Sequence, residues 1–249
     1  MLGVFLIQHF KLILNTPGWW RKILPGGIMN LLPTLALNAV LTGAVDPVMG
    51  GVLTLAGLAV FLIAWGYLYR VFIDGLNGTE ELVVYDWLGW RDYAIAGFWL
   101  FLIALGYCVL AAFFLGAIIS MFGLTPSMDN PESAGPLSFL LILAMVFFYG
   151  FFPVAFTRYA AEGRLWAAFE PGPLWRDLKR VVSGAYIQTC FGLFGVSMMG
   201  NIVLGLLPHI GIALASFFWF LIMIIFARIF GLMIRRALTP PQSPVSSFN

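Results

Sequence analysis

The chain has 249 residues, of which 61% are hydrophobic and 10% charged, with a mean hydropathy of +0.97. Soluble domains carry about 25% charged residues, so this inventory cannot cover a water-facing surface, and a soluble enzyme is excluded. The 13 basic and 11 acidic side chains nearly cancel, leaving no electrostatic footprint for nucleic acid.

Residues 1–18 come first. The apolar run Leu2 to Ile7 precedes Lys11, the reverse of a secretory signal, which opens on positive charge. Gln8, Lys11 and Asn15 share one helical face, so the segment reads as an interfacial amphipathic helix ended by Pro17-Gly18. Six apolar windows, free of charge but for Arg70 and Arg228 near the ends of two of them, then reach the roughly 20 residues that a bilayer core of about 30 Å requires. They are Ile23 to Ala44, Val48 to Ile73, Tyr93 to Phe122, Pro136 to Phe156, Gly184 to Leu207 and Ile210 to Ile234. Val45-Asp46-Pro47 and Pro208-His209 are connections so short that the spans on either side must turn back as hairpins. After Arg236, residues 237–249 are rich in proline and serine and read as a disordered tail. Cys108 and Cys190 lie in apolar runs with no metal or disulfide spacing.

Orientation follows from the basic residues. Lys11, Arg21 and Lys22 precede the first span, Arg70 and Arg91 flank the next long loop, Arg158, Arg164, Arg176, Lys179 and Arg180 occupy the other, and Arg228, Arg235 and Arg236 close the last span. The remaining loops hold only Asp46, Asp129, Glu132 and His209. Lys and Arg stay on the cytoplasmic side, so both termini and both long loops are expected there.

A pattern recurs along this side. Arg70 to Gly75 matches Arg158 to Gly163: an arginine, an acid four residues on (Asp74, Glu162), then a glycine expected to cap the helix end. Trp20-Arg21, Trp90-Arg91 and Trp175-Arg176 each stand before a span. The expected architecture is therefore an all-α integral membrane protein, residues 19–236, of three parallel helical hairpins at about 19–75, 88–163 and 174–236. Interfaces favour Trp and Arg in any case, which accounts for part of the recurrence.

Several of these stretches resemble a known family. Pro17-Gly18-Trp19-Trp20-Arg21-Lys22-Ile23-Leu24 with Gly26-Gly27, Gly66-Tyr67-Leu68-Tyr69-Arg70-Val71 with Gly78-Thr79-Glu80-Glu81-Leu82, Asp86-Trp87, and Arg158 to Arg164 are similar to the prokaryotic multi-pass membrane family of domain-of-unknown-function 4013. The resemblance extends from about Trp19 to Arg236, with a first hairpin longer than the family's usual pattern. It implies a helical bundle in a prokaryotic cytoplasmic (inner) membrane, and it assigns no activity and no catalytic residue.

Ionisable residues within a membrane mark functional sites, and this chain has few. Arg70, Arg158 and Arg228 are expected near helix ends, their stems reaching the interface. No HExxH, GxSxG or phosphate-binding glycine motif occurs, and nothing points to metal, haem or nucleotide. Gly26 and Gly27 with Asn30, and Gly192, Gly195 and Gly200 with Asn201, read as packing devices. The most suggestive internal feature is Asn30, Thr34 and Asn38 at i, i+4 and i+8 beside Pro33, a polar stripe that serves either as glue between helices or as a solute path. The loop from Glu162 to Arg180 interleaves Trp166, Phe169, Leu174, Trp175 and Leu178 with basic residues, as expected of two short helices on an anionic leaflet or of a partner-docking surface. The leading expectation is a non-enzymatic structural or accessory subunit among other membrane subunits. A transporter or channel for a small neutral solute comes next, then a lipid-acting intramembrane enzyme.

Overall fold

The computed structural model describes residues 2–15, 17–79, 87–122, 150–207 and 210–239, and among these all regular structure is helical. α1 is Leu2–Asn15, α2 Trp19–Leu41, α3 Pro47–Asn77 and α4 Trp90–Phe122, the last preceded by a 3-10 turn at Trp87–Gly89. α5 covers 150–162. A second 3-10 turn at Leu165–Phe169 leads to α6 (Pro171–Val181), α7 (Gly184–Gly205) and α8 (Gly211–Leu238). Five helices, α2, α3, α4, α7 and α8, are long and apolar enough to cross a membrane. Most of the expected fourth span, and the expected tail, lie outside the described residues; its end continues as α5.

The helices overrun the apolar windows because those windows mark only the hydrocarbon, whereas a helix continues through a headgroup layer that brings the bilayer to about 40–45 Å. Thus Trp19 to Lys22 form the first turn of α2, and Arg235 and Arg236 lie in the last turn of α8. The expected turn at Asp46 is present. α2 stops at Leu41, Gly43 takes a φ of 69°, and Asp46 Oδ1 accepts from the Val48 and Met49 amides at 3.1 and 3.0 Å, with Pro47 opening α3. That cap satisfies two of the amides a helix start leaves unpaired.

α8 is the centre of the molecule. Of its most apolar window 56% is buried, against 11–22% in the other four candidate spans. One side of α8 joins α1, α2 and α3 through Ile13, Ile23, Tyr67, Phe220, Ile225 and Ile229. The other joins α4 to α7 through Ile103, Val154, Leu174, Tyr186, Phe226 and Ile234. Because lipid is as apolar as these side chains, close packing rather than water expulsion holds spans together, and glycine sets how near they come. A Cβ on Gly75 would lie 2.8 Å from the Arg228 carbonyl oxygen, and one on Gly231 2.9 Å from the Gly75 Cα, so α3 and α8 cross backbone to backbone. Gly97 and Gly66 make the α3–α4 crossing in the same way, against the carbonyls of Leu62 and Tyr93.

Two expectations about glycine change. Gly75 is not a cap: α3 runs on to Asn77 and ends at Gly78, with a φ of 72°, while Gly75 is occupied by the α8 contact. In the matching motif Gly163 does cap α5, with a φ of 65° and its N–H donating to the Tyr159 carbonyl at 2.8 Å. Gly26, Gly27 and Gly200 receive the rings of Phe220, Phe217 and Phe218, as packing positions should, but Gly195 faces open space.

Candidate functional site

Between α2, α3, α4, α5, α7 and α8 lies a cavity of about 660 Å³. Its wall follows one stripe of α8 from Gly211 to Phe230, a rise of about 28 Å at 1.5 Å per residue and close to the thickness of a bilayer core. No charged side chain and no histidine is among the described residues that line it.

The polar groups of the wall are Asn30 and Thr34 from α2, Asn201 from α7 and Ser216 from α8, with Tyr69 from α3. Asn30 Nδ2 donates across to the Ser216 carbonyl at 3.2 Å, tying α2 to α8. Thr34, Asn201 and Ser216 each donate to a carbonyl four residues back in their own helix, at 3.2, 3.0 and 3.0 Å. The amides of Asn30 and Asn201 each spend one N–H on a backbone carbonyl, and the oxygen of each accepts from none of the described residues. All four polar residues lie toward the end where α2 and α7 finish and α8 begins. The other end is walled by Phe72, Phe156, Leu193, Phe226 and Phe230.

The stripe read from the sequence divides. Asn30 and Thr34 reach the cavity, and Asn30 also bridges two helices. Asn38 lies past the described wall, its carbonyl accepting from Thr42 Oγ1 at 2.9 Å. Pro33 packs on Gly57, where a Cβ would come 2.9 Å from the Pro33 Cα, so it serves the α2–α3 contact. Ser216 went unread as a wall residue, and so did the partnership of Asn201 with Asn30. The available signal was a polar residue near the same end of three different spans.

A second polar centre forms where α5 ends. Arg158 pairs with Glu162 one turn on, and reaches Glu170 Oε2 at 3.6 Å and Asp177 Oδ2 at 3.7 Å; Arg164 also pairs with Glu162. The hydrogen bond from Arg164, with further help from Arg158, holds the Glu162 carboxyl below its usual range. Arg158 and Arg164 thus gather three acids at one helix end. Nearby, Phe169 stacks on Tyr107 at 5.1 Å between ring centroids, and the Tyr107 hydroxyl donates to the Ala168 carbonyl, fastening the 3-10 turn to α4.

The Trp-Arg steps take up a related arrangement. Arg21 lies 5.1 Å over the Trp20 ring and Arg91 5.5 Å over Trp90. At Trp175 the stacked cation is Lys179 at 5.4 Å rather than Arg176, because α6 places residues four apart on one face. Arg70 is exposed, whereas Asp74 one turn on is buried against the bundle. Two arginines depart from expectation. Arg158 gathers three acids, Glu162, Glu170 and Asp177, rather than standing alone at its helix end. Arg228 is only 3% exposed, and its Nη2 donates to the Thr79 carbonyl at 2.7 Å, just past the end of α3. Among the described residues no three His, Cys, Asp or Glu side chains gather as a metal site.

Apolar helices of spanning length around an uncharged cavity are the build of a multi-helix membrane protein. The family model described as "Protein of unknown function (DUF4013)" matches residues 49–209, well over half of the chain, and the chain belongs to that family. The match begins within α3 and ends before α8, so it is shorter than the stretch from Trp19 to Arg236 over which the resemblance reads. No curated protein and no solved structure matches the chain.

Proposed function

We propose that this is a non-enzymatic, six-span protein of a prokaryotic cytoplasmic membrane that passes a small neutral solute. The observation that carries the reading is the uncharged cavity of about 660 Å³ beside Asn30 and Asn201. This is within the range of about 300–1,000 Å³ typical of small-molecule sites, which likewise combine apolar walls with a few polar groups. A charged solute would leave water for a wall with no counter-charge, at a cost of several kcal/mol. A molecule bearing hydroxyl or amide hydrogens instead meets the free oxygens of Asn30 and Asn201.

In this reading Pro136 to Phe156 supplies the sixth span, and the spans pair as three parallel hairpins with both termini in the cytoplasm. The contacts α2–α3 and α7–α8 support the first and last pairs, and Tyr107 against Phe151 and Phe152 supports the middle one. α1 lies in the interface, with Ile13 inserted into the bundle and Gln8, Lys11 and Asn15 exposed.

The test is stopped-flow permeation of neutral solutes such as urea and glycerol into proteoliposomes. Ala215 lines the cavity, so Ala215→Phe fills it and is expected to lower flux about tenfold, while Asn30→Leu changes which solutes pass. Flux equal to that of protein-free vesicles for every solute would reject this reading. It would favour an accessory subunit instead, for which one feature speaks: Phe113, Phe114 and Met121 on α4 are 73, 64 and 79% exposed, an apolar helix half open to a partner span. Mild-detergent extraction and native mass spectrometry would then identify stoichiometric companions.

A further inference from the structure

We infer that the outer face of α6 docks on anionic phospholipid headgroups. The inference starts from how charge is sorted between residues 158 and 180. This stretch carries the acids Glu162, Glu170 and Asp177 and the bases Arg158, Arg164, Arg176, Lys179 and Arg180. All three acids turn toward Arg158, and Arg164 is taken up by Glu162. Arg176, Lys179 and Arg180 are exposed and make no ion pair with the described residues. On one short helix, then, Asp177 points inward to Arg158 while its three basic neighbours point outward with their charge uncompensated.

Exposed aromatic rings accompany these cations. Trp175 is 55% exposed beneath Lys179, and Trp166 on the preceding 3-10 turn is 76% exposed. An indole left in water gains nothing, whereas at the headgroup layer its ring meets acyl chain and its N–H meets lipid oxygen. The inner side of α6 is fixed by Leu174 and Val181, both buried in the core shared with α8. Only Val182 and Ser183 separate α6 from α7, a helix apolar enough to span, so this face is held where a span enters the bilayer. Three uncompensated cations beside aromatic anchors at that level are complementary to phosphate-bearing anionic lipid, with each cation favouring an anionic surface by about fivefold.

The test uses the full chain in nanodiscs of phosphatidylcholine and phosphatidylglycerol, one lipid or the other carrying bromine as a quencher. The contribution of Trp175 is isolated by comparison with Trp175→Phe. Brominated phosphatidylglycerol is expected to quench Trp175 several-fold more than brominated phosphatidylcholine at low salt, and the preference should shrink at high salt. The R176Q/K179Q/R180Q variant should lose the preference, and the charge-retaining R176K/R180K variant should keep it. Equal quenching by both lipids, or a preference that survives in the glutamine variant, would overturn the inference. So would quenching by aqueous acrylamide but by neither lipid, which would place the face in water and point to an acidic protein partner.

Discussion

Gly75→Ala tests the backbone crossing of α3 and α8. The new Cβ would lie 2.8 Å from the Arg228 carbonyl oxygen, 3.1 Å from the Gly231 Cα and 3.2 Å from the Leu232 nitrogen. Carbon and carbonyl oxygen settle at about 3.3–3.6 Å, so the helices must part by about 0.5 Å, and none of the opposing atoms is a side chain that can rotate away. A gap of that size forfeits about a quarter of each dispersion contact it opens, and overpacking of this kind costs about 1–3 kcal/mol. Alanine also gains roughly 1 kcal/mol over glycine in helix propensity, which would mask the strain if this variant were read alone. Gly195→Ala removes the ambiguity, because a Cβ there meets nothing within 4 Å and the propensity gain cancels between the two sites. Unfolding in mixed micelles, followed by circular dichroism as the fraction of denaturing detergent rises, should place Gly75→Ala about 1–3 kcal/mol below Gly195→Ala. Gly75→Leu should fall lower still. Agreement of the two alanine variants within about 0.5 kcal/mol would refute the reasoning, since experimental scatter is of that order.

Asp46→Ala removes the acceptor of two amides at the start of α3 and should cost about 1 kcal/mol in the same assay, with Asp46→Asn nearly neutral. The Glu162 carboxyl is held below its usual range by Arg164 and Arg158, so its contribution is complete above the unfolded value of about 4.3 and disappears as pH falls through the lowered folded value. Hydrogen-exchange protection around residues 158–170, taken relative to the intrinsic rate at each pH, should therefore be steady from pH 7 to 5 and fall below about pH 4, at a higher pH in Arg164→Gln. Arg158→Met removes the cation that Glu170 and Asp177 share and should speed proteolysis between Gly163 and Pro171 in proteoliposomes. Arg158→Lys should restore little, because a single ammonium lacks the fork that serves Glu162 and Asp177 from separate nitrogens.

What could be read from the sequence was what short stretches of chain decide alone. Hydropathy located the described spans, Asp46-Pro47 marked a turn that its own carboxylate caps, and Gly163 ended a helix through its own φ. The spacing of Arg158 and Glu162 gave an ion pair because both sit on one helix face. The same six-residue pattern failed at Gly75, since there a neighbouring helix, not the chain's own path, decides the glycine's use. Gly231 lies far away in sequence, and nothing near Gly75 shows that α8 will pass across it. The cavity has the same cause. Asn30 and Thr34 stand out beside Pro33, but they form a wall only once Asn201 and Ser216 arrive from two other helices.

The arginines show where local reading stops. Arg158 and Arg228 each occupy a helix near an end, and interfacial reach for the side chain is the reading that position alone supports. Their partners come from other segments: Glu170 and Asp177 from the loop and α6 for Arg158, and the Thr79 carbonyl beyond the end of α3 for Arg228. For Arg228 the glycine seam supplies the geometry. Gly75 and Gly231 let α3 and α8 approach until Arg228 can reach the Thr79 carbonyl, just beyond the C-cap of α3. A buried guanidinium is favoured there because it meets the negative end of the helix dipole. The close crossing and the buried arginine are therefore one device, and a substitution that opens the seam at Gly75 also withdraws Arg228 from Thr79.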